Sequence, residues 1–275
     1  MISLRTKHWL GSKEVPMTKF PGGEVGPKIP EDTTETGQVW LTATLKNSDD
    51  IMQMLLTVNA IRQQNPKTSI YASIPYVPYA RQDRVCDTGE ALSIQVMAQM
   101  INSCKFVQVV IVDPHSLVTP ALIDNVVVKD QVSIFGDVVD WSSYTLVAPD
   151  AGARKKVEAF AKAVGAKDIL YADKKREMST GKIIGLELLG AVKANGRYAV
   201  LDDICDGGRT FIELANLMNK YQHLQLDLFV THGIFSKGVE VVAEHYDFIY
   251  TTNSYTSKHL LDDHKRVRVV DILPF

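Results

Sequence analysis

Between Tyr198 and Thr210 an apolar run passes through two adjacent acids into a glycine-bearing turn, Tyr-Ala-Val-Leu-Asp-Asp-Ile-Cys-Asp-Gly-Gly-Arg-Thr. Residues of these types in this order suit a magnesium-bound sugar phosphate. Asp202 and Asp203 offer carboxylate oxygens to ribose hydroxyls or to Mg2+. The turn Asp206, Gly207, Gly208, Arg209 and Thr210 can hold a phosphate on backbone N–H groups if a helix begins there. Phe211, Leu214, Ala215 and Met218 fall at i, i+3, i+4 and i+7, which predicts that helix. An ordinary strand-to-helix turn capped by Asp206 carries the same signature, so the segment needs support from the rest of the chain.

Further polar residues follow other apolar runs, where open α/β sheets gather their ligands. Asp113 and His115 follow one, Asp150 follows another in Ala148-Pro-Asp-Ala-Gly-Ala-Arg154, and Lys174 and Arg176 follow a third. Such a set of carboxylates and cations fits phosphoryl or pyrophosphoryl transfer, in which positioning and charge neutralisation supply most of the catalysis. Tyr76-Val-Pro-Tyr-Ala-Arg-Gln-Asp-Arg84 adds a loop stiffened by proline that presents Arg81, Gln82 and Arg84 to phosphate oxygens. Each feature also has a plain structural reading: solvated surface for Lys-Lys-Arg, a histidine satisfied by Asp113, and arginines in surface ion pairs. No Gly-x-x-x-x-Gly-Lys-Ser/Thr loop is present, so any nucleotide must be held in another way.

The elements that would position these residues alternate. Strands are predicted at Val39–Leu45, Ser69–Ile74, Gln108–Val112, Leu146–Ala148, Ile169–Ala172, Tyr198–Leu201, Leu226–Val230 and Phe248–Tyr250. Helices are predicted from Asp50, from Leu92, and through Val157, Phe160, Ala161 and Val164. This order implies parallel sheets covered by helices. A helix followed by Val109–Ser116 echoes a helix followed by Leu226–Ser236, which points to two related domains. Their boundary is expected near Asp137–Ser143, giving 1–138 and 139–275, with the last strand packing back on the first domain. Phe20–Asp32 reads as a long loop or open hairpin.

A length of 275 residues and a net charge of −2 fit a globular chain with packed cores and give no sign of a nucleic-acid partner. Cys86, Cys104 and Cys205 are odd in number and lack a Cys-x-x-Cys pair, which points to a reducing cytoplasm and away from a zinc site. No run reaches membrane-spanning length and the N-terminus lacks a signal-type apolar core, so a soluble, unprocessed protein is expected.

Taken in order, Phe20–Glu24, Pro75–Arg84, Asp113–Ser116, Pro149–Gly152, Lys174–Arg176, Asp202–Asp206 and Thr231–Ser236 resemble the motifs of the ribose-phosphate pyrophosphokinase family, also called phosphoribosyl-pyrophosphate synthetases. The resemblance covers the chain from about residue 19 to about residue 272. It implies two tandem phosphoribosyltransferase-like domains, each a mostly parallel sheet flanked by helices. It implies transfer of the β,γ-pyrophosphoryl group of ATP to the anomeric hydroxyl of ribose 5-phosphate, giving phosphoribosyl pyrophosphate and AMP with Mg2+ required, in a homo-oligomer such as a dimer or hexamer.

The resemblance also assigns roles. Phe20 and Glu24 would meet the adenine end from a neighbouring subunit, and Arg81, Gln82 and Arg84 would bind ATP. His115 and Asp150 would serve the metal. Asp150, Asp202 and Asp203 would face the ribose, the turn Asp206–Thr210 would hold the 5-phosphate, and Lys174 and Arg176 would stabilise the transferring group. The chain departs from the family where Gly207, Gly208 and Arg209 replace the usual Thr-x-Gly before Thr210. Arg209 then either points to solvent or reaches an extra phosphate on a larger, ADP-ribose-like acceptor. A phosphoribosyltransferase would share the 202–210 segment but has no need of Arg81–Arg84 or of the Lys174/Arg176 pair. A non-catalytic relative would be expected to lose that pair, His115 or the two acids, all of which are present.

Overall fold

Val39, Leu41 and Ala43 are buried while Gln38, Trp40 and Thr42 are half exposed, the period-2 pattern of a strand with one covered face. The structure is a computed structural model and describes residues 1–176, 183–221, 223–261 and 263–272. At positions 175, 176, 183 and 184 it describes the backbone only. The chain divides into two units, the first covering Met1–Lys129 and the second beginning at Asp130.

The first unit runs β1 (Ile2–Arg5), β2 (Lys13–Glu14), β3 (Met17–Lys19), β4 (Val25–Pro27), β5 (Gln38–Ala43), α1 (Ser48–Gln64), β6 (Ser69–Ile74), α2 (Ser93–Ser103), β7 (Gln108–Val112), α3 (Val118–Leu122) and β8 (Val126–Lys129). Its main sheet has the order β2-β1-β5-β6-β7-β8. Pairing is parallel from β5 to β8 and antiparallel at β1 and β2. Asn47 caps α1 by accepting a hydrogen bond from the Asp50 N–H at 3.0 Å. α2 buries Ile94, Met97, Ala98 and Ile101, the four residues whose spacing predicted it. β3 and β4 form a short antiparallel hairpin closed at Phe20–Glu24, so the expected loop is the hairpin form.

The second unit runs α4 (Gln131–Phe135), β9 (Thr145–Ala148), α5 (Arg154–Val164), β10 (Asp168–Arg176), β11 (Ile183–Leu189), β12 (Arg197–Cys205), α6 (Arg209–Met218), β13 (Gln225–Gly233), α7 (Glu240–Ala243), β14 (Phe248–Thr252), α8 (Lys258–Leu261) and β15 (Val267–Val270). Its seven-stranded sheet has the order β11-β10-β9-β12-β13-β14-β15 and is parallel except for the β10–β11 pair.

Three sequence expectations shift. The units part at Asp130, ahead of the expected 138/139 boundary, because α4 and Trp141 belong to the second core. The Trp141 indole N–H donates to the Phe135 carbonyl at 3.1 Å, and its ring packs on Phe160 and Phe229. The last strand, β15, pairs with β14 inside the second sheet, where the expectation had it on the first domain. Finally, Lys174 and Arg176 lie within β10, and Asp202 and Asp203 within β12, not after those strands. β11 supplies a ladder opposite Lys174, and β13 extends its ladder with β12 as far as Cys205. No helix among the described residues is long and apolar enough to cross a membrane.

Candidate active site

In the first unit the polar residues sit beyond the carboxyl ends of β6 and β7. The segment after β6 alternates anchors and heads: Pro75, Val77, Pro78 and Ala80 are buried, whereas Tyr79, Arg81, Gln82 and Arg84 are exposed. The Val112 N–H donates to the Pro75 carbonyl at 3.2 Å and the Gln82 N–H to the Tyr79 carbonyl at 2.9 Å, fixing the turn to its neighbour strand. Tyr79 (φ 64°) and Asp113 (φ 34°) both adopt left-handed backbone, a strained conformation that collects at functional loops. Asp113 is buried and His115 exposed. Phe20 and Glu24 stand exposed on the β3–β4 hairpin.

In the second unit the strand order reverses between β9 and β12, since β10 lies on one side of β9 and β12 on the other. That reversal is the place where parallel sheets open a crevice for ligands, and Asp150, Asp202 and Asp203 sit at it. Asp150 closes the turn into α5 by accepting the Ala153 N–H at 3.0 Å. Asp202 accepts the Asp203 N–H on its own carboxylate at 2.8 Å, and its backbone carbonyl accepts the Gln131 side-chain amide at 2.8 Å. Burial pushes the Asp202 carboxyl well above the ordinary carboxylate range, reinforced by the Asp203 charge and, more weakly, by Asp150. The structure thus brings these three acids into one electrostatic group.

Cations surround that group. α5 opens with Arg154-Lys-Lys156 and has no acid in its first turn, which sets positive charge against the positive end of the helix dipole. Asp173 and Asp203 offset this: Arg154 bonds the Asp173 carboxylate at 2.7 Å, and the Lys156 ammonium lies 3.5 Å from Asp203. Lys174 is exposed, its N–H donating to Asp173 at 2.8 Å. The side chain of Arg176 lies outside the described residues. Sequence reading missed Lys156 and Gln131. Lys156 was legible as part of a basic run six residues after Asp150, while nothing local marks Gln131.

β12 ends at Cys205 and α6 starts at Arg209 with Gly208 as its N-cap, two residues later than the Asp206 cap considered from sequence. Gly208 has left-handed φ of 75°, and a Cβ there would lie 2.4 Å from Val242, so this turn demands glycine. It carries no side chain to occupy the first-turn N–H groups. Arg209 turns outward: it is 89% exposed and bonds Glu213 one helical turn on at 2.7 Å. Cys205, in the middle of the motif, is a buried core thiol, pushed up to about 12 by burial and then by Asp202 and Asp206, the setting of a structural cysteine.

Among the described residues no three His, Cys, Asp or Glu side chains gather as a metal cage. Mg2+ needs no such cage, because it commonly uses one or two carboxylates with waters and substrate phosphates. The hard oxygens of Asp150, Asp202 and Asp203 fit that mode.

Residues 6–104 match the family described as the N-terminal domain of ribose phosphate pyrophosphokinase. The chain is 26% identical over 269 residues to a ribose-phosphate pyrophosphokinase of Mycoplasmopsis pulmonis, covering 94% of this chain and 82% of that one. It is 29% identical to that of Hyphomonas neptunium over 82% of this chain and 74% of the relative. Over most of its length the chain is similar to ribose-phosphate pyrophosphokinases. The Pyrococcus furiosus pyrophosphokinase is 26% identical over 87% of this chain and 85% of its own. In fold, the structure resembles the crystal structure of the phosphoribosylpyrophosphate synthetase from Mycobacterium smegmatis, with a TM-score of 0.77 at 19% identity over 94% of this chain and 86% of that one. The phosphoribosyltransferase-like architecture expected from sequence is therefore the observed one. Arg209, one of the residues read from sequence as departing from the pyrophosphokinase pattern, runs along the helix surface in its ion pair with Glu213.

Proposed function

We propose that this chain is an ATP-dependent ribose-phosphate pyrophosphokinase that converts ribose 5-phosphate to phosphoribosyl pyrophosphate and AMP. The observation that carries this is the continuity of β12 and α6: one strand bears Asp202 and Asp203, and its turn into α6 opens with a glycine at the helix start, beside Asp150 at the strand-order reversal. The anomeric oxygen of the sugar attacks the β-phosphorus of ATP, the bond from that phosphorus to the bridging α–β oxygen breaks, AMP leaves, and the hydroxyl proton passes to solvent.

In this reading Asp202 and Asp203 orient the ribose hydroxyls, and the turn Asp206–Thr210 holds the 5-phosphate. Lys174, with Arg176, neutralises charge on the migrating group. Arg81, Gln82 and Arg84 hold the ATP phosphates in the first unit, and Phe20 and Glu24 serve adenine from a second copy in a homo-oligomer. Mg2+ would supply charge neutralisation on the polyphosphate, with His115 in the first unit and Asp150 in the second each a candidate ligand. Three free thiols, Cys86, Cys104 and Cys205, accord with a reducing cytoplasm.

Arg209 was the reason to consider a larger, ADP-ribose-like acceptor, and its engagement with Glu213 favours ribose 5-phosphate instead. The test is AMP release from ATP and Mg2+ with ribose 5-phosphate, with ADP-ribose and with no acceptor. AMP that appears only with ribose 5-phosphate is expected. Absence of acceptor-dependent AMP would overturn the proposal.

A further inference from the structure

Phe235 adopts left-handed backbone at φ 47°, which a bulky aromatic residue rarely tolerates. Its side chain is 7% exposed and packs in the second unit's core, so close to Gly233 that a Cβ there would lie 2.2 Å from the ring. The backbone around it is pinned to the end of β12: the N–H groups of Ile234 and Phe235 both donate to the Cys205 carbonyl, at 2.9 and 3.1 Å. The Gly238 N–H then closes a turn onto the Phe235 carbonyl at 2.9 Å. Strain held by this many contacts points to a use for what the turn displays.

It displays Ser236 and Lys237, both exposed. A Cβ built on Gly207 would lie 3.5 Å from Lys237 Cε, 3.8 Å from Lys237 Cδ and 3.9 Å from Ser236 Oγ. The lysine stem therefore lies against Gly207 in the 206–210 turn, with its ammonium one bond beyond the Cε that approaches it. Arg209 leans away from this turn into an ion pair with Glu213, whereas Lys237 leans across Gly207.

Resting on the pyrophosphokinase reading, we propose that Lys237 is a specificity-determining residue of the acceptor site, donating a charge-assisted hydrogen bond to the 5-phosphate of the bound sugar, with the Ser236 hydroxyl beside it. A point charge on a flexible stem suits a phosphate dianion, and it complements backbone donors that hold the same group from the helix side.

The test uses the full chain with Lys237→Ala, Lys237→Arg and the surface control Lys220→Ala, each checked for native circular dichroism. Steady-state rates are read against ribose 5-phosphate and ATP, and binding of ribose 5-phosphate and of unphosphorylated ribose is measured by calorimetry without ATP. Lys237→Ala is expected to raise both KM and Kd for ribose 5-phosphate roughly 10- to 100-fold, the loss of one hydrogen bond to a charged group, with kcat and KM for ATP unchanged. Lys237→Arg restores most of the affinity, and Lys220→Ala and ribose itself show no effect. A folded Lys237→Ala chain with unchanged KM and Kd would overturn this inference alone. A wild type that releases no AMP but loses ribose 5-phosphate affinity on Lys237→Ala would overturn the pyrophosphokinase reading alone. A wild type that binds no ribose 5-phosphate overturns both.

Discussion

The Lys156 ammonium lies 3.5 Å from the Asp203 carboxylate, whose side chain is only 6% exposed. A cation from the first turn of α5 thus offsets one of two adjacent acids on β12. Lys156→Ala is expected to destabilise the chain by about 1–2 kcal/mol, less than for a fully buried pair because Lys156 is a third exposed. Adding Asp203→Asn should recover part of that loss. Urea unfolding of the single and double variants measures the coupling, and strictly additive losses would show that the pair contributes nothing.

Burial and the Asp203 charge hold the Asp202 carboxyl well above its ordinary 3.8. The fold keeps a proton there that the unfolded chain releases, so this group's contribution to stability is intact below about pH 4 and is lost as pH rises through the folded value. Asp202→Asn removes that loss. It should melt higher than wild type at about pH 8, the gap narrowing toward pH 4, while AMP release falls at least ~100-fold. Calorimetry across this range decides, and a gap independent of pH would contradict the assignment.

Lys174 is exposed and has no packing role to lose. Lys174→Ala should leave the melting temperature and the KM for ribose 5-phosphate in place while lowering kcat about 100- to 1,000-fold, the pattern of a group that acts on transition-state charge. An unchanged kcat would remove it from the reaction.

Arg209→Ala removes a solvent-exposed pair with Glu213. Neither thermal stability nor acceptor KM should move measurably. A large rise in KM would mean that the guanidinium leaves Glu213 for the ligand.

Gly208→Ala meets both a left-handed φ of 75° and the Val242 side chain at 2.4 Å. A destabilisation of about 2–3 kcal/mol is expected, of which Val242→Ala in the same chain relieves only the steric share. Full rescue by Val242→Ala would show that backbone strain is absent.

The sequence made legible whatever local periodicity controls. Phe211, Leu214, Ala215 and Met218 all line the buried face of α6, and the continuous apolar runs became the central strands. It was blind where a distant partner decides. β11 exists because β10 offers it an edge, and β12 reaches Cys205 because β13 accompanies it, which is why Lys174 and Asp202 turned out to lie within strands. Arg209 drew attention as an odd residue inside a motif, yet an acid four positions on sets its direction. Lys237 drew none, because only the left-handed turn at Phe235 carries it back across Gly207.

The pairing of β12 with β9 has a kinetic meaning. Thr145 pairs with Tyr198 across the whole of α5, β10 and β11 in sequence, so Asp150 and Asp202 are brought together by a long-range closure, the kind of contact that is slow to form. During refolding, helical signal should return well before the capacity to bind a sugar phosphate. A nascent chain still lacking β12 carries Asp150 but neither Asp202 nor Asp203.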